Sequence, residues 1–200
     1  MTAEADPGAI ARLTAILHAS PLFQSLFVDW PRAASPLWIG AGAIAQTVWN
    51  HRFARPPLHG LKDVDLVWFD AAAGDAEEDV ERRLNERLRP FAVTADAKNQ
   101  ALVHRWYAAR FGHPIPPYRD LADAIATWPT TATAVAIRPA TDSTLQIIAP
   151  FGLDDLLAGR VRPNHRQITP PVYAAKVTRW TALWPGLSIR PWAEGVRPPA

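Results

Sequence analysis

The sequence predicts a single domain of the mixed α/β (α+β) class, in which a β-sheet is flanked by helices. Its 200 residues suit one domain, and a hydrophobic fraction of 48% is enough to form a core. Short apolar runs alternate along the chain with longer segments whose apolar residues recur at helical spacing. The 20 prolines between these segments indicate short elements joined by stiff loops.

The chain is predicted to begin with two helices. Asp6 is an N-cap residue and Pro7 suits the first helical position. Four apolar residues then follow at helical spacing: Ile10, Leu13, Ile16 and Leu17. We expect this helix to end before Pro21 and a second short helix to lie within residues 21–36.

Residues 38–70 are interpreted as strand, glycine turn, helix, loop and strand. The first strand is the apolar run Trp38–Ala41, and the helix is expected to continue to about Asn50. Glycines at a strand-to-helix turn let backbone N–H groups approach an anion, and the helix N-terminus adds a favourable dipole. Gly40 and Gly42 stand at this turn, without the third glycine or the lysine of the common nucleotide-binding loops.

Two carboxylates lie one residue apart in the second strand, Leu61–Phe69. Residues i and i+2 of a strand project from the same face, so Asp63 and Asp65 are expected to lie side by side. Like charges so placed raise each other's pKa and disfavour burial. Because a divalent cation removes that conflict, the pair predicts a Mg²⁺ (or Mn²⁺) site.

The next elements are predicted to be a helix, a strand and another helix. Asp75 is expected to cap a helix whose charged residues, from Glu77 to Arg87, fill a solvated outer face. The strand Phe91–Ala97 carries Asp96 near its end, which becomes a third carboxylate if this strand pairs beside Asp63 and Asp65.

The remaining elements are predicted to be supporting structure. They are a short helix in 118–127, a strand in 131–138, its hairpin partner in 144–149, a turn into a helix after Phe151, and a helix striped by Tyr173, Val177, Trp180 and Trp184. Asp154 and Asp155 are expected to favour a helix N-terminus and to cap it, with metal binding as the less favoured alternative. We divide the chain into an N-terminal helical segment (1–34), the main domain (35–190) and a loose tail (191–200).

Composition narrows the class of protein further. With no cysteine there can be no disulfide and no thiolate zinc site. No apolar run approaches the length of a membrane span, and the acidic N-terminus lacks the cationic region of a signal peptide, so a cytoplasmic protein without a membrane partner is expected. The C-terminal region 151–200 holds seven Lys or Arg and three Asp or Glu. This indicates a solvated basic surface or, less readily, contact with a phosphate-bearing partner.

Taken together, several motifs resemble the nucleotidyltransferase fold of the DNA polymerase beta superfamily, and more closely a group of bacterial nucleotidyltransferase-like proteins. The resemblance covers about residues 35–185. Its motifs are Gly42–Ile44 with Val48-Trp49, Lys62–Asp65, Lys98–His104, Trp128–Val135 and Ala149–Leu156.

The resemblance implies a mixed sheet flanked by helices and a metal-dependent transfer of a nucleoside monophosphate from an NTP to an acceptor hydroxyl. It implies that Asp63, Asp65 and Asp96 are catalytic and hold the metal ions, which bind the triphosphate and activate the acceptor. It also implies a nucleotide-binding set: Gly42, Ala43, Lys62, Lys98 and Asn99. The acceptor, whether a small molecule, a protein or an RNA, stays open, as do base preference and oligomeric state.

Two alternatives remain open at this stage. Members of the superfamily usually carry a serine or a second glycine where this chain has Ala43, which favours a catalytically weak or inactive protein with a nucleotide-binding or regulatory role. In a plain α/β domain the three aspartates would merely terminate strands, and no cation-dependent stabilisation is then expected.

Overall fold

The secondary structure follows the predicted alternation of helices and strands. The structure is a computed structural model that describes residues 6–28, 30, 36–72, 77–140 and 144–196. Its strands are β1 Trp38–Gly40, β2 Asp63–Trp68, β3 Thr94–Asn99, β4 Ala136–Pro139, β5 Leu145–Ile148, β6 Arg160–Val161 and β7 Ser188–Ile189. Its helices are α1 Pro7–Ala19, α2 Pro21–Phe27, α3 Ala41–Arg52, α4 Glu77–Leu88, α5 Val103–Phe111, α6 Leu121–Ile125, α7 Asp154–Ala158 and α8 Pro170–Leu183, with short 3₁₀ helices at Arg89–Phe91 and Trp192–Glu194.

A five-stranded mixed sheet, in the order β3-β2-β1-β4-β5, organises the fold. β2 and β3 are parallel, whereas β1 is antiparallel to both β2 and β4, and β4 is antiparallel to β5. β6 and β7 form a separate two-stranded parallel sheet. The prediction of a single mixed α/β domain with helices flanking the sheet is therefore confirmed.

The N-terminal helix begins and ends where its caps predict. The Asp6 side chain accepts a hydrogen bond of 3.0 Å from the N–H of Ala9, and the helix stops one residue before Ser20. α2 then begins at Pro21, inside the range predicted for it. Their apolar faces are fully buried in the main core, which joins this segment to the rest of the domain.

The centre of the core is aromatic. The ring of Trp49 on α3 contacts the rings of Trp180 and Trp184 edge-on, each at 5.4 Å between centroids. The Trp184 indole N–H donates to the buried side chain of Asn50 at 2.8 Å. The amide of Asn50 in turn donates to two carbonyls of the following loop, those of Pro57 and His59. This network fixes α8 against α3.

Helix α4 covers the edge of the sheet that is formed by β3. Three of its polar side chains, one per turn, accept hydrogen bonds from alternate N–H groups of β3: Asn85 from Ala95 at 2.7 Å, Glu81 from Ala97 at 2.9 Å and Glu77 from Asn99 at 2.9 Å. The prediction that this charged face is merely solvated is therefore wrong for Glu77 and Glu81. The predicted cap at Asp75 lies outside the described residues.

Two predicted strands differ from the structure. β3 begins at Thr94, three residues later than predicted, because residues 89–91 form a 3₁₀ helix that ends at Ala92 in the left-handed region. Residues 131–133 form a turn, in which the Thr133 N–H bonds the Thr130 carbonyl at 3.2 Å, so β4 starts only at Ala136. The alternation of threonine and alanine mimicked a strand here. The hairpin partner β5 is confirmed.

The division of the chain at residues 34 and 190 stays a prediction, but part of the predicted tail is attached to the domain. The Trp192 ring lies 4.3 Å from the His165 ring and 6.0 Å from the Tyr173 ring, between centroids. Val196 forms a bridge with Asn164. Residues 191–196 are therefore packed, and the end of the predicted tail lies outside the described residues. No helix in the described ranges is both long enough and apolar enough to cross a membrane.

Candidate active site

The parallel pair of strands β2 and β3 brings the three predicted carboxylates together. Asp65 and Asp96 are direct neighbours in the register of the two strands, and Asp63 lies two residues before Asp65 on the same face. All three line one cavity of about 300 Å³. The alternating apolar residues of β2, Val64 and Leu66, point into the core and fix which face the aspartates present.

Asp65 is the most perturbed of these carboxylates. Burial and the nearby charges of Asp63 and Asp96 raise its pKa from 3.8 to about 6, although the Gly42 N–H and Lys176 act in the opposite direction. At neutral pH this carboxylate is ionised although it is buried, which lowers the free energy of unfolding of the protein. A cation bound beside Asp65 would therefore relieve the cost of keeping this carboxylate ionised.

The glycine turn at the start of α3 forms the second wall. The Gly42 N–H donates to Oδ2 of Asp65 at 3.3 Å, so the turn's exposed amide holds a carboxylate of the cavity itself. A Cβ atom at residue 42 would lie 3.1 Å from Nε2 of Gln46 and 3.5 Å from Oδ2 of Asp65. At Gly40 it would lie 2.5 Å from the Trp128 ring. Glycine is therefore needed at residue 40, whereas at residue 42 a Cβ atom would require only a small shift of the Gln46 side chain.

Ala41, between these glycines, adopts an unusual backbone conformation. Its φ is +46°, in the left-handed region that residues with a Cβ atom rarely occupy. Its N–H donates to the Val135 carbonyl at 2.9 Å, which ties the turn to the residue before β4. The strained residue thus lies on the wall of the cavity.

Lys98 neutralises the third carboxylate. Its Nζ lies 2.8 Å from Oδ1 of Asp96, and 3.4 Å and 3.7 Å from carboxylate oxygens of Glu77 and Glu81 on α4. Burial lowers the pKa of Lys98, but Asp96 and Glu77 outweigh this effect and the net shift is upward. Lys98 is therefore a firmly protonated cation at the edge of the cavity.

Helix α8 supplies two further cations that the sequence did not reveal. Lys176 and Arg179 line the cavity opposite the strands, together with Trp180. Burial and the charge of Arg179 lower the pKa of Lys176, while Asp65 and Asp63 oppose this shift. The signal that could have found them is their i, i+3 spacing, which places both on one face of a helix whose apolar stripe was predicted.

A family model described as "Nucleotidyltransferase" matches residues 35–189. The chain belongs to the nucleotidyltransferase family. The NMR structure of a CCA-adding enzyme head domain superimposes on it with a TM-score of 0.68 at 21% sequence identity, covering 90% of this chain and 95% of that one. This match shows a shared fold and confirms the predicted nucleotidyltransferase fold.

Two other solved structures are more distant. A complex of a CCA-adding enzyme with CTP has a TM-score of 0.45 at 14% identity and covers 85% of this chain. A tRNA-processing enzyme in its apo form has a TM-score of 0.45 at 17% identity and covers 84% of this chain. The match covers only 39% of the CCA-adding enzyme chain and 44% of the tRNA-processing enzyme chain. No curated protein matches it.

Three residues of the predicted nucleotide-binding set lie away from the cavity. Ala43 is fully buried in the main core, and Lys62 is exposed outside the cavity. The buried Asn99 side chain is committed to the backbone: its amide donates to the Asp70 carbonyl at 2.8 Å, and its Oδ1 accepts from the N–H groups of Asp70 and Ala101. Gly42 and Lys98, by contrast, line the cavity.

The donor set of the cavity suits a hard cation. Its carboxylate oxygens are ligands that Mg²⁺ prefers, and the raised pKa of Asp65 reflects the burial of this carboxylate and then the nearby charges of Asp63 and Asp96. Among the residues that the structure describes, no three His, Cys, Asp or Glu side chains are arranged to enclose one ion. Mg²⁺ is commonly held by one or two carboxylates with water and substrate phosphates, so an open set of this kind fits it.

Two buried aspartates outside the cavity, Asp155 and Asp123, form ion pairs with arginines. Asp155, only 3% exposed, accepts from the Thr131 hydroxyl at 2.6 Å and forms ion pairs with Arg160 and Arg162 at 3.0 and 2.7 Å. Asp155 lies in the first turn of α7, as predicted, but it does not cap the helix, because its side chain binds these partners instead.

The second aspartate, Asp123, forms ion pairs with Arg119 and Arg166, which hold its pKa at about 2 despite burial. Three arginines of the basic C-terminal region, Arg160, Arg162 and Arg166, are thus engaged in internal ion pairs. The prediction of a merely solvated basic surface is wrong for these three.

Proposed function

We propose that the protein transfers a nucleoside monophosphate from an NTP to an acceptor hydroxyl, with Mg²⁺ or Mn²⁺ as cofactor. The observation that carries this proposal is the placement of Asp63, Asp65 and Asp96 on adjacent strand positions of one cavity. Membership of the nucleotidyltransferase family supports it. The acceptor is a small molecule, a protein or an RNA.

Asp63 and Asp65 would be the main ligands of the metal, with Asp96 beside them. When bound, the divalent ions neutralise the triphosphate and polarise the attacking and leaving oxygens. Asp65 is already desolvated and is held in position by the hydrogen bond from the Gly42 N–H. Asp63, which is more exposed, completes the pair from the mouth of the cavity.

The positive groups around the cavity would bind the phosphates. The N-terminus of α3 at Gly42 offers a favourable dipole for an anion. Lys176 and Arg179 approach from the opposite wall, so the triphosphate would lie between two sources of positive charge. Phosphoryl transfer depends mainly on such positioning and charge neutralisation.

Asp96 would hold the proton of the acceptor hydroxyl. It lies beside Asp65 on β3, at the side of the cavity where Lys98 is bound. Because the ammonium of Lys98 lies 2.8 Å from Oδ1 of Asp96, the proton would go to the other oxygen, Oδ2, or this contact would have to open first.

A second candidate function is nucleotide binding without efficient transfer. Two observations favour it: the ammonium of Lys98 already occupies the third carboxylate, and Ala43 offers no hydroxyl at the start of α3. In this case the fold would bind a nucleotide and serve a regulatory role.

Thermal unfolding with Mg²⁺ or Mn²⁺ and each NTP tests the proposal. A ligand that binds only the folded state raises the midpoint by mass action. We expect a metal-dependent rise for the native protein, its loss in Asp63→Asn, and its retention in Asp154→Asn, a control whose carboxylate is exposed outside the cavity. No rise with any metal and NTP would contradict both candidate functions.

Pyrophosphate release distinguishes the two candidates. Transfer releases one pyrophosphate for each nucleoside monophosphate moved, and Asp96→Asn should abolish it while leaving the thermal shift in place. A shift without pyrophosphate release, with candidate small molecules, proteins and RNA supplied as acceptors, would favour the regulatory role.

A further inference from the structure

A second cavity, of about 500 Å³, opens beside the carboxylates. It shares six lining residues with the first cavity: Asp65, Lys98, Gln100, Trp128, Pro129 and Lys176. Because the two spaces have these walls in common, one ligand can extend from the first into the second.

The second cavity has a more aromatic lining than the first, which has only Trp128 and Trp180 as aromatic residues. Helix α5 supplies Trp106, Tyr107 and Phe111, and the segment after it supplies His113 and Tyr118. The Tyr107 ring lies 4.5 Å from the Phe111 ring and 5.4 Å from the His113 ring, between centroids, so these rings form one packed wall. Trp106 is half-buried beside them, with its ring nearly parallel to that of Tyr107.

The cavity also contains a polar pair, Tyr118 and Gln167, whose groups can form hydrogen bonds with a ligand. The Tyr118 hydroxyl lies 3.1 Å from Oε1 and 2.9 Å from Nε2 of Gln167, and 3.2 Å from the Thr127 hydroxyl. One end of the Gln167 amide suffices for Tyr118, so the other end remains able to donate to or accept from a ligand in the cavity.

We propose that this aromatic cavity binds the nucleobase of the NTP, with Trp106 as the stacking residue and Gln167 as the group that discriminates between bases. This inference rests on the proposed function. The first cavity is lined by carboxylates and cations that suit the metal and the triphosphate, whereas a heteroaromatic ring is better placed against aromatic side chains. Because the two cavities share a wall, a base bound in the second cavity would lie directly beside a triphosphate bound in the first.

Two probes measured by calorimetry test the role of Trp106: Mg·ATP, which has a base, and Mg·tripolyphosphate, which has none. We expect Trp106→Ala to weaken the binding of Mg·ATP about 10-fold or more and that of Mg·tripolyphosphate less than about 2-fold. Only Mg·ATP has a base, so only Mg·ATP loses a stacking contact with Trp106. Trp192→Ala, a matched substitution of a half-buried tryptophan outside both cavities, should change neither affinity by more than about 2-fold.

The outcomes separate the two proposals. If native protein binds both probes and Trp106→Ala weakens them equally, or leaves Mg·ATP unchanged, the nucleobase assignment is wrong and the proposed function stands. If native protein binds neither probe, the proposed function is wrong and the assignment fails with it.

Gln167→Glu provides an independent test that does not depend on removing a large side chain. A carboxylate only accepts hydrogen bonds, so it should favour the amino group of cytosine over the carbonyl of uracil. We expect the ratio of CTP to UTP affinity to rise about 5-fold or more, with circular dichroism and the unfolding midpoint showing an intact fold. An unchanged ratio would remove Gln167 from base discrimination.

Discussion

The ammonium of Lys98 lies 2.8 Å from the carboxylate of Asp96, so the third acidic group of the cavity carries its own cation. Asp96 is also the direct strand neighbour of Asp65, whose pKa is raised to about 6 by burial and by nearby carboxylates. Of these two neighbouring carboxylates, Asp96 is ion-paired with Lys98, whereas Asp65 has no ion pair among the described residues. This asymmetry leads to different expectations for the two residues.

The raised pKa of Asp65 predicts a specific dependence of stability on pH. The folded-state pKa lies above 3.8, so the contribution of Asp65 is fully present below about pH 4 and is lost as pH rises through about 6. A shift of about two pKa units corresponds to about 2 to 3 kcal/mol. Asp65→Asn cannot ionise, so in EDTA at pH 8 it should be more stable than the native protein by up to that amount.

Urea unfolding at pH 4.5 and pH 8 measures this difference, with Asp154→Asn as the control carboxylate. The stability advantage of Asp65→Asn should be largest at pH 8 and shrink towards pH 4.5. An advantage that is equal at both pH values would mean that ionisation of Asp65 is not the cause.

The ion pair of Lys98 with Asp96 predicts competition with metal. In Lys98→Gln the carboxylate of Asp96 is left without its partner, so the apoprotein should lose about 0.5 kcal/mol or more of stability. Because that carboxylate is then free, Mg²⁺ alone should bind about 2- to 5-fold more tightly than to the native protein. Calorimetric titration with Mg²⁺ measures this change.

Lys62→Gln is the matched control, since Lys62 is exposed next to Asp63 and lies outside the cavity. It removes the same charge from the protein without freeing Asp96. If both variants gain Mg²⁺ affinity equally, the gain reflects net charge and the competition that we infer between Lys98 and the metal is absent.

The buried carboxylate of Asp155 is predicted to be a major determinant of stability. Replacement by alanine leaves the Thr131 hydroxyl and the guanidinium groups of Arg160 and Arg162 without their acceptor. Removal of one partner from a fully buried ion pair costs about 3 to 5 kcal/mol, and the half-exposed arginines reduce this to about 2 to 4 kcal/mol. Urea unfolding of Asp155→Ala measures the loss, and a cost under about 1 kcal/mol would contradict the role.

Asp154→Ala provides the comparison within the same helix. Asp154 is adjacent in sequence and exposed in the first turn of α7, where it gains only the helix dipole. Its replacement should cost less than about 1 kcal/mol. The contrast between two neighbouring aspartates would show that burial and pairing, and not helix capping, determine the effect.

The local signals in the sequence were sufficient for the part of the fold that carries the carboxylates. Alternation in β2 fixed the face on which Asp63 and Asp65 lie, because Val64 and Leu66 must enter the core. The glycine turn marked the junction of β1 and α3 for the same kind of local reason. The pairing of Asp96 with Asp65 does not follow from such local signals, because strand order is a long-range property.

Contacts between segments distant in sequence also explain what sequence analysis missed. Lys176 and Arg179 reach the cavity only because α8 packs across α3 through Trp49 and Trp180. Asp155 resembled a helix cap because one of its partners, the Thr131 hydroxyl, lies 24 residues away, although Arg160 and Arg162 are close in sequence. The alternation over residues 131–133 indicated a strand, but these residues form a turn whose Thr131 N–H donates to the distant Arg162 carbonyl.

The cover that α4 provides over β3 has a consequence for assembly. An open strand edge is a template on which another chain can add its own strand. Here the N–H groups of Ala95, Ala97 and Asn99 are already occupied by side chains of α4. An incoming strand would first have to displace a whole helix, so the end of the sheet that bears Asp65 and Asp96 is guarded against domain swapping and fibre-like growth.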